Sequence, residues 1–195
     1  MRRIWITGLA IAAGAAHAAE AGWGQYGGDA AGQITPANVG RLTEAWRTTV
    51  DSAAAIGPAA MKRSSFENTP ILAEGRLYAC SPFNQVAALD PGTGRQLWRH
   101  DPHLDTTVRY PNDFVCRGVA FARVAQNGLC AARIYMNTAD RRLIALDAAS
   151  GKPCPGFGRN GTVTIAPDGT PSRKGNVHTT SAPVVSHGVV VVGSS

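Results

Sequence analysis

Two residues of this 195-residue sequence have the types and the spacing to share one ligand. Glu67 stands three residues ahead of Pro70, and Thr180 three ahead of Pro183, each before a short apolar run. The two positions are 113 residues apart, as are the prolines. If the segments are copies of one unit arranged in a ring, a carboxylate and a hydroxyl at equivalent places both face the axis. There they could hold a polar ligand. His178, two residues before Thr180, could reach the same place. Other chemistry is thinly represented. There is no Ser/His/Asp order, no pair of carboxylates in a supporting context and no C-x-x-C. His100-Asp101-Pro102-His103 brings two imidazoles and a carboxylate together, but with no further ligands nearby it reads as a solvated loop. Gly92-x-Gly94-x-x-Leu97 lacks the third glycine of a dinucleotide loop and runs into a strand pattern, not a helix.

The elements that would position these residues form a repeat. Val86–Trp98 reads VAALDPGTGRQLW, and Ala145–Pro155 reads ALDAASGKPCP. Ala88-Leu89-Asp90 matches Ala145-Leu146-Asp147, Gly94 matches Gly151, and Arg76-Leu77-Tyr78 matches Arg133-Ile134-Tyr135, all at an offset of 57 residues. Thr69–Leu72 and Gly75 match Ala182–Val185 and Gly188 at about twice that offset. A fixed period of this size signals a repeat architecture. Each copy reads as four short strands joined by Gly/Pro/Asn turns, one blade of a β-propeller. The fold class is therefore all-β, with about two and a half blades. The first runs over roughly 70–100, the second from about Arg117 to Cys154, and the third stops after two strands at Ser195. Arg41–Val50 alternates and reads as a lone strand; Gly156–Lys174, rich in Gly, Pro and Asn, reads as a surface loop. Two and a half blades cannot close, and Val189–Val192 would be an unpaired edge. The chain is therefore expected to be the N-terminal portion of a larger, truncated propeller.

Composition sets the outer limits. Hydrophobic content of 44% against 16% charged residues fits a globular protein and excludes a disordered one. The net charge of +6 is spread without a Lys/Arg run, which argues against a nucleic-acid partner. Residues 1–18 have the basic start, apolar stretch and Ala16-His17-Ala18 site of a secretory signal peptide, leaving 19–195 as an exported, periplasmic chain. Export permits disulfides. Four cysteines allow three pairings, of which the strand placement favours Cys130–Cys154 and Cys80–Cys116.

Ala88-x-Asp90-x-x-Thr93-Gly94-x-x-x-Trp98 resembles the tryptophan-docking motif of quinoprotein dehydrogenase propellers. In such a motif the indole of one blade packs across the seam on a peptide of the next, which is a structural role. The second copy has Pro155 where the tryptophan would fall. WGQYGGD (Trp23–Asp29), NVGRLTEAW (Asn38–Trp46), LYACSPFNQVAALDPGTGRQLW (Leu77–Trp98), CRGVAF (Cys116–Phe121) and RRLIALDAASGKPCPGFG (Arg141–Gly158) follow in family order. Together they resemble the N-terminal third of a pyrroloquinoline-quinone (PQQ) dependent dehydrogenase of the glucose/quinate/shikimate type.

The resemblance implies an eight-bladed propeller with PQQ on the axis over a divalent metal, Ca or Mg. It implies oxidation of a sugar, polyol or cyclitol alcohol, and electron delivery to a quinone or cytochrome. Peripheral membrane contact is compatible with it. Carried over by motif, the cofactor-binding residues are Glu67, Arg117, Thr180 and Ser195, with Arg117 of Cys-Arg-Gly at the quinone carbonyls. No catalytic residue and no metal ligand is assigned. The aspartate base and the metal ligands are expected beyond residue 195, so these residues alone are expected to be inactive. Asp113 stands where glucose-oxidising members carry a histidine, which points away from glucose, and the vicinal Cys-Cys of methanol-type members is absent. The alternative is a non-enzymatic periplasmic propeller scaffold of the same repeat class. Against it, 1–18 carries no lipid-acceptor cysteine, and a scaffold has no evident use for Glu67, Arg117 and Thr180 together.

Overall fold

A computed structural model of the chain describes residues 35–50, 56–165 and 178–193. The expected signal peptide and Ser195 lie outside the described residues.

Among the described residues, two four-stranded antiparallel sheets and a two-stranded antiparallel sheet follow one another along the chain, and a short two-stranded parallel sheet flanks the first. The first blade comprises β2 (Ile71–Ala73), β3 (Arg76–Cys80), β4 (Val86–Leu89) and β5 (Gln96–His100), in that spatial order. The second comprises β7 (Ala120–Arg123), β8 (Ala132–Asn137), β9 (Arg142–Asp147) and β10 (Thr162–Thr164). The two-stranded antiparallel sheet is β11 (Val184–Ser186) with β12 (Val189–Val191). Its turn repeats that of the first blade: Glu74 and His187 both sit at φ 49°, ahead of the matched Gly75 and Gly188.

Alternation along each strand sends successive side chains to opposite faces, and here both faces are covered. Ile71, Tyr78 and Val86 of the first blade meet Ile134, Met136 and Leu146 of the second. On the other side Ala79, Ala87 and Leu89 pack against Val50 and Trp46, and the far face of the second blade meets Val185 and Val190 of the two-stranded sheet. Strands buried on both faces need near-continuous apolar sequence. That explains the VAAL of β4 and the LIAL of β9, whose alanines also let the layers approach closely.

The Asp of each Ala-x-Asp closes the turn that follows. The Asp90 carboxylate accepts from the Gly92 and Thr93 backbone N–H groups and the Thr93 hydroxyl. The Asp147 carboxylate accepts from the Ser150 backbone and hydroxyl, and from the Cys130 N–H of the neighbouring strand connection. Each turn ends on a glycine with positive φ, 69° at Gly94 and 71° at Gly151, and each is roofed by an indole. A Cβ on Gly151 would lie 2.5 Å from the Trp98 ring, and one on Gly94 would lie 2.3 Å from the Trp46 ring. The Trp98 indole N–H donates to the Ala148 carbonyl at 3.0 Å; that of Trp46 donates to the matched Pro91 carbonyl, also at 3.0 Å. Trp98 therefore crosses the seam to the second blade as the motif implies.

Two expectations are corrected. Arg41–Val50 forms no strand: a 3-10 turn at Val39–Arg41 is followed by extended chain without a ladder. Its alternation is satisfied by packing, because Trp46 and Val50 cover the first blade. The second blade does not finish at Cys154. The ladder on β9 starts there, since the Cys154 N–H reaches the Ala145 carbonyl at 2.8 Å. The chain then loops out and resumes at Gly161, whose carbonyl accepts the Ala145 N–H at 2.9 Å. The fourth strand, β10, thus lies inside the stretch read as a surface loop. Both favoured disulfides are present, Cys80–Cys116 and Cys130–Cys154, the second pinning the loop-out.

Candidate functional site

The site is built where the chain enters and leaves the first blade. β1 (Ser64–Phe66), just ahead of that blade, pairs in parallel with β6 (Phe114–Cys116), just after it. The pairing continues at both ends: the Phe114 N–H donates to the Arg63 carbonyl at 2.9 Å, and the Thr69 N–H to the Arg117 carbonyl at 3.1 Å. Phe114 anchors β6; it is fully buried, with Phe83 at 5.0 Å and the Arg63 guanidinium 4.9 Å from its ring centre. The Cys80–Cys116 disulfide ties the end of β3 to the residue before Arg117. Asn68, next to Glu67, accepts the Cys80 N–H at 3.1 Å through Oδ1.

This frame brings together three of the four expected cofactor-binding residues. Arg117 Nε donates to Glu67 Oε2 at 3.0 Å, and Arg117 Nη1 donates to Thr180 Oγ1 at 2.5 Å. The Glu67 and Arg117 side chains are 41% and 37% exposed, so the pair is open to a ligand and solvent-screened. Glu67 thus orients the guanidinium, and Thr180 takes a second of its donors. A cleft of about 200 Å³ adjoins, lined by Arg117, Ser181, Ala182 and Val184. Ser195 lies outside the described residues.

His178 and Thr179 complete the approach. Thr179 is buried, and its hydroxyl donates to the Thr138 carbonyl of the second blade at 2.7 Å. His178 is 2% exposed, and neither of its ring nitrogens has a hydrogen-bond partner among the described residues. Burial first, and then the Arg117 charge, push its pKa below the usual imidazole value, so the ring is neutral. The buried Nδ2 of Asn68 also lacks a partner. Unpaired polar atoms of this kind are uncommon in a folded interior and mark places where a ligand or water belongs. Sequence reasoning passed over Asn68 and the β1–β6 pairing: three-residue parallel segments carry no periodic signal, and an asparagine beside a glutamate has no spacing to single it out.

The other candidates separate from this cluster. The His103 ring is 90% exposed and lies 3.7 Å from Asp101, whose Oδ2 is already taken by the Gln85 amide at 2.7 Å. No group of three or more His, Cys, Asp or Glu suited to a metal occurs among the described residues. Asp113 is exposed in the turn before β6.

The fit to an anionic planar ligand can be judged on the residues present. An oriented guanidinium, a hydroxyl and a buried imidazole with free nitrogens suit carboxylate and quinone oxygens. PQQ, a quinone that carries carboxylates, is of that kind.

Comparison with known proteins agrees. The family model described as "PQQ: Glucose/ethanol/alcohol dehydrogenase, beta-propeller domain" matches residues 21–195. The quinate/shikimate dehydrogenase (quinone) of Acinetobacter baylyi is 34% identical over 201 residues, covering 88% of this chain and 24% of that protein. The glycerol dehydrogenase large subunit of Gluconobacter oxydans is 34% identical over 180 residues, covering 87% and 24%. Among solved structures, the quinohemoprotein alcohol dehydrogenase ADHIIG of Pseudomonas putida HK5 superposes with a TM-score of 0.60 at 30% identity, over 84% of this chain and 20% of that one. The chain thus spans about a quarter of the length of the curated relatives it matches. On the family match over residues 21–195 and these relatives, the chain belongs to the PQQ-dependent glucose/ethanol/alcohol dehydrogenase family, within its β-propeller domain.

Proposed function

We propose that these residues form the PQQ-holding N-terminal part of a periplasmic dehydrogenase that oxidises a hydroxyl of a polyol, sugar or cyclitol. Its electrons pass to a quinone or cytochrome. The observation that carries this reading is Arg117, held between the Glu67 carboxylate and the Thr180 hydroxyl where the blades meet. Arg117 would face a quinone or carboxylate oxygen of the cofactor; Glu67 fixes its plane, and Thr180 and Ser195 bind beside it. PQQ, when bound, supplies the two-electron acceptor chemistry. A metal ion accompanies it, as the name of the europium-containing methanol dehydrogenase, a structural neighbour with a TM-score of 0.58 at 28% identity, suggests by analogy. The names of the relatives, quinate/shikimate and glycerol dehydrogenases, favour a polyhydroxylated substrate, and Asp113 in place of a histidine disfavours glucose.

The test is Arg117→Ala in the full-length protein that contains this sequence, assayed with PQQ and an artificial electron acceptor. Losing a positioned charge at the reacting oxygen should lower turnover by about 10²–10³. Unchanged turnover removes Arg117 from the site.

A further inference from the structure

Building on that reading, we propose that His178 is a further cofactor-binding residue: its buried, unpartnered imidazole completes the Arg117–Thr180 cradle by hydrogen-bonding an oxygen of the bound quinone acid. The placement follows from three neighbours. Thr179 turns its hydroxyl onto Thr138 in the second blade, while Thr180 meets Arg117, so His178 lies two residues from the one that marks the Arg117 side. The Arg117 charge is felt at the ring, in keeping with that side. Among the described residues neither nitrogen finds a partner, although the residue is only 2% exposed.

A buried imidazole left in this condition destabilises the empty site, because its donor and acceptor have lost water and gained nothing. A structural histidine would be satisfied by carbonyls or hydroxyls of the surrounding blades. A binding residue is satisfied only when the ligand arrives. A neutral ring keeps one N–H to donate beside the Arg117 guanidinium, whose charge is already shared with Glu67, so a polar oxygen can lie across both. The imidazole would thus add direction to a site in which Arg117 supplies the charge.

The two roles predict opposite signs for one substitution. His178→Leu, close in volume and without polar atoms, should leave the melting temperature of the cofactor-free full-length protein unchanged or raise it. The same substitution should weaken PQQ binding about tenfold, as the loss of one hydrogen bond to a charged group does. His178→Gln, which keeps an N–H, should recover part of that loss. Binding is read by equilibrium dialysis. In the wild type, the ring nitrogen resonances that disappear in His178→Gln should shift on addition of PQQ. A lower melting temperature with unchanged affinity, or resonances that ignore PQQ, overturns the inference and makes His178 a structural residue. Arg117→Ala separates this failure from that of the underlying reading. If Arg117→Ala abolishes binding while His178→Leu does not, only His178 leaves the site. If the wild type binds no PQQ, both readings fall.

Discussion

The seams and the Arg117 cluster are made of similar parts and solve opposite problems. At each seam an indole N–H meets a carbonyl, an aspartate closes the turn beneath, and a glycine accepts the ring face. The Trp98 seam is doubly secured, because the Tyr78 hydroxyl also donates to the Ala148 carbonyl, at 3.1 Å. The Arg117 cluster leaves polar capacity unspent at His178 and Asn68. Where the repeat is kept, hydrogen bonding is complete and the residues stabilise. Where equivalent positions differ, Asn68 against Ser181 and His178 against Ser65, capacity is held for a ligand. Departure from the repeat, more than the repeat itself, marks the site.

The sharpest way to break this contrast is to damage a seam and look for an effect at the cluster. Gly151→Ala puts a methyl group into the Trp98 ring at a backbone angle that disfavours side chains. It should cost about 3 kcal/mol or more, and soluble yield should collapse. Gly92→Ala, whose nearest heavy atom is 3.5 Å away, is the matched control and should be near neutral. Equal behaviour of the two would remove the indole contact as the seam's organising interaction.

An intermediate effect is expected from the strut under the cluster. Replacing Cys80 and Cys116 together by alanine should lower stability by about 2–4 kcal/mol and, unlike a seam change, also weaken PQQ binding, because Cys116 precedes Arg117. Replacing Cys130 and Cys154 should lower stability with PQQ affinity kept in the fraction that folds. Calorimetry and dialysis on the same samples decide it; affinity loss in both, or in neither, merges the regions.

The smallest effect is a pH dependence confined to the seam. Burial raises the Asp147 pKa, but the Ser150 hydroxyl and the Cys130 and Ser150 backbone donors outweigh it and leave the pKa below the usual aspartate value. A depressed folded-state pKa contributes stability that is complete above the unfolded value, about 3.9, and is lost as pH falls through the folded value. The melting temperature should therefore fall on acidification below about pH 4, and less steeply in Asp147→Asn. An identical acid limb in the two proteins would show that other carboxylates govern it.

Much of this was legible in the sequence, for identifiable reasons. The 57-residue echo locates the blades because each must present the same alanine-rich centre and the same aspartate-closed turn to its neighbour. Glu67 and Thr180 came from the family resemblance, and their shared offset from a proline supported them as a pair. Arg117 was placed by family resemblance alone, since nothing in its spacing says that a parallel pairing returns the chain to its starting point. β10 was missed because six residues loop out between Cys154 and Gly161 and erase the register that the first copy shows. Arg41–Val50 misled because alternation reports a covered face, and a face can be covered without a ladder.

The parallel pairing of β1 with β6 has a consequence for how the molecule tolerates change. It makes the first blade a closed excursion, leaving and re-entering the protein at adjacent residues stitched by a ladder, with a disulfide tying β3 to the exit strand. Lengthening the turn at Glu74–Gly75 therefore enlarges the rim without travelling to Arg117. The first blade behaves as a cassette whose clasp is the binding site.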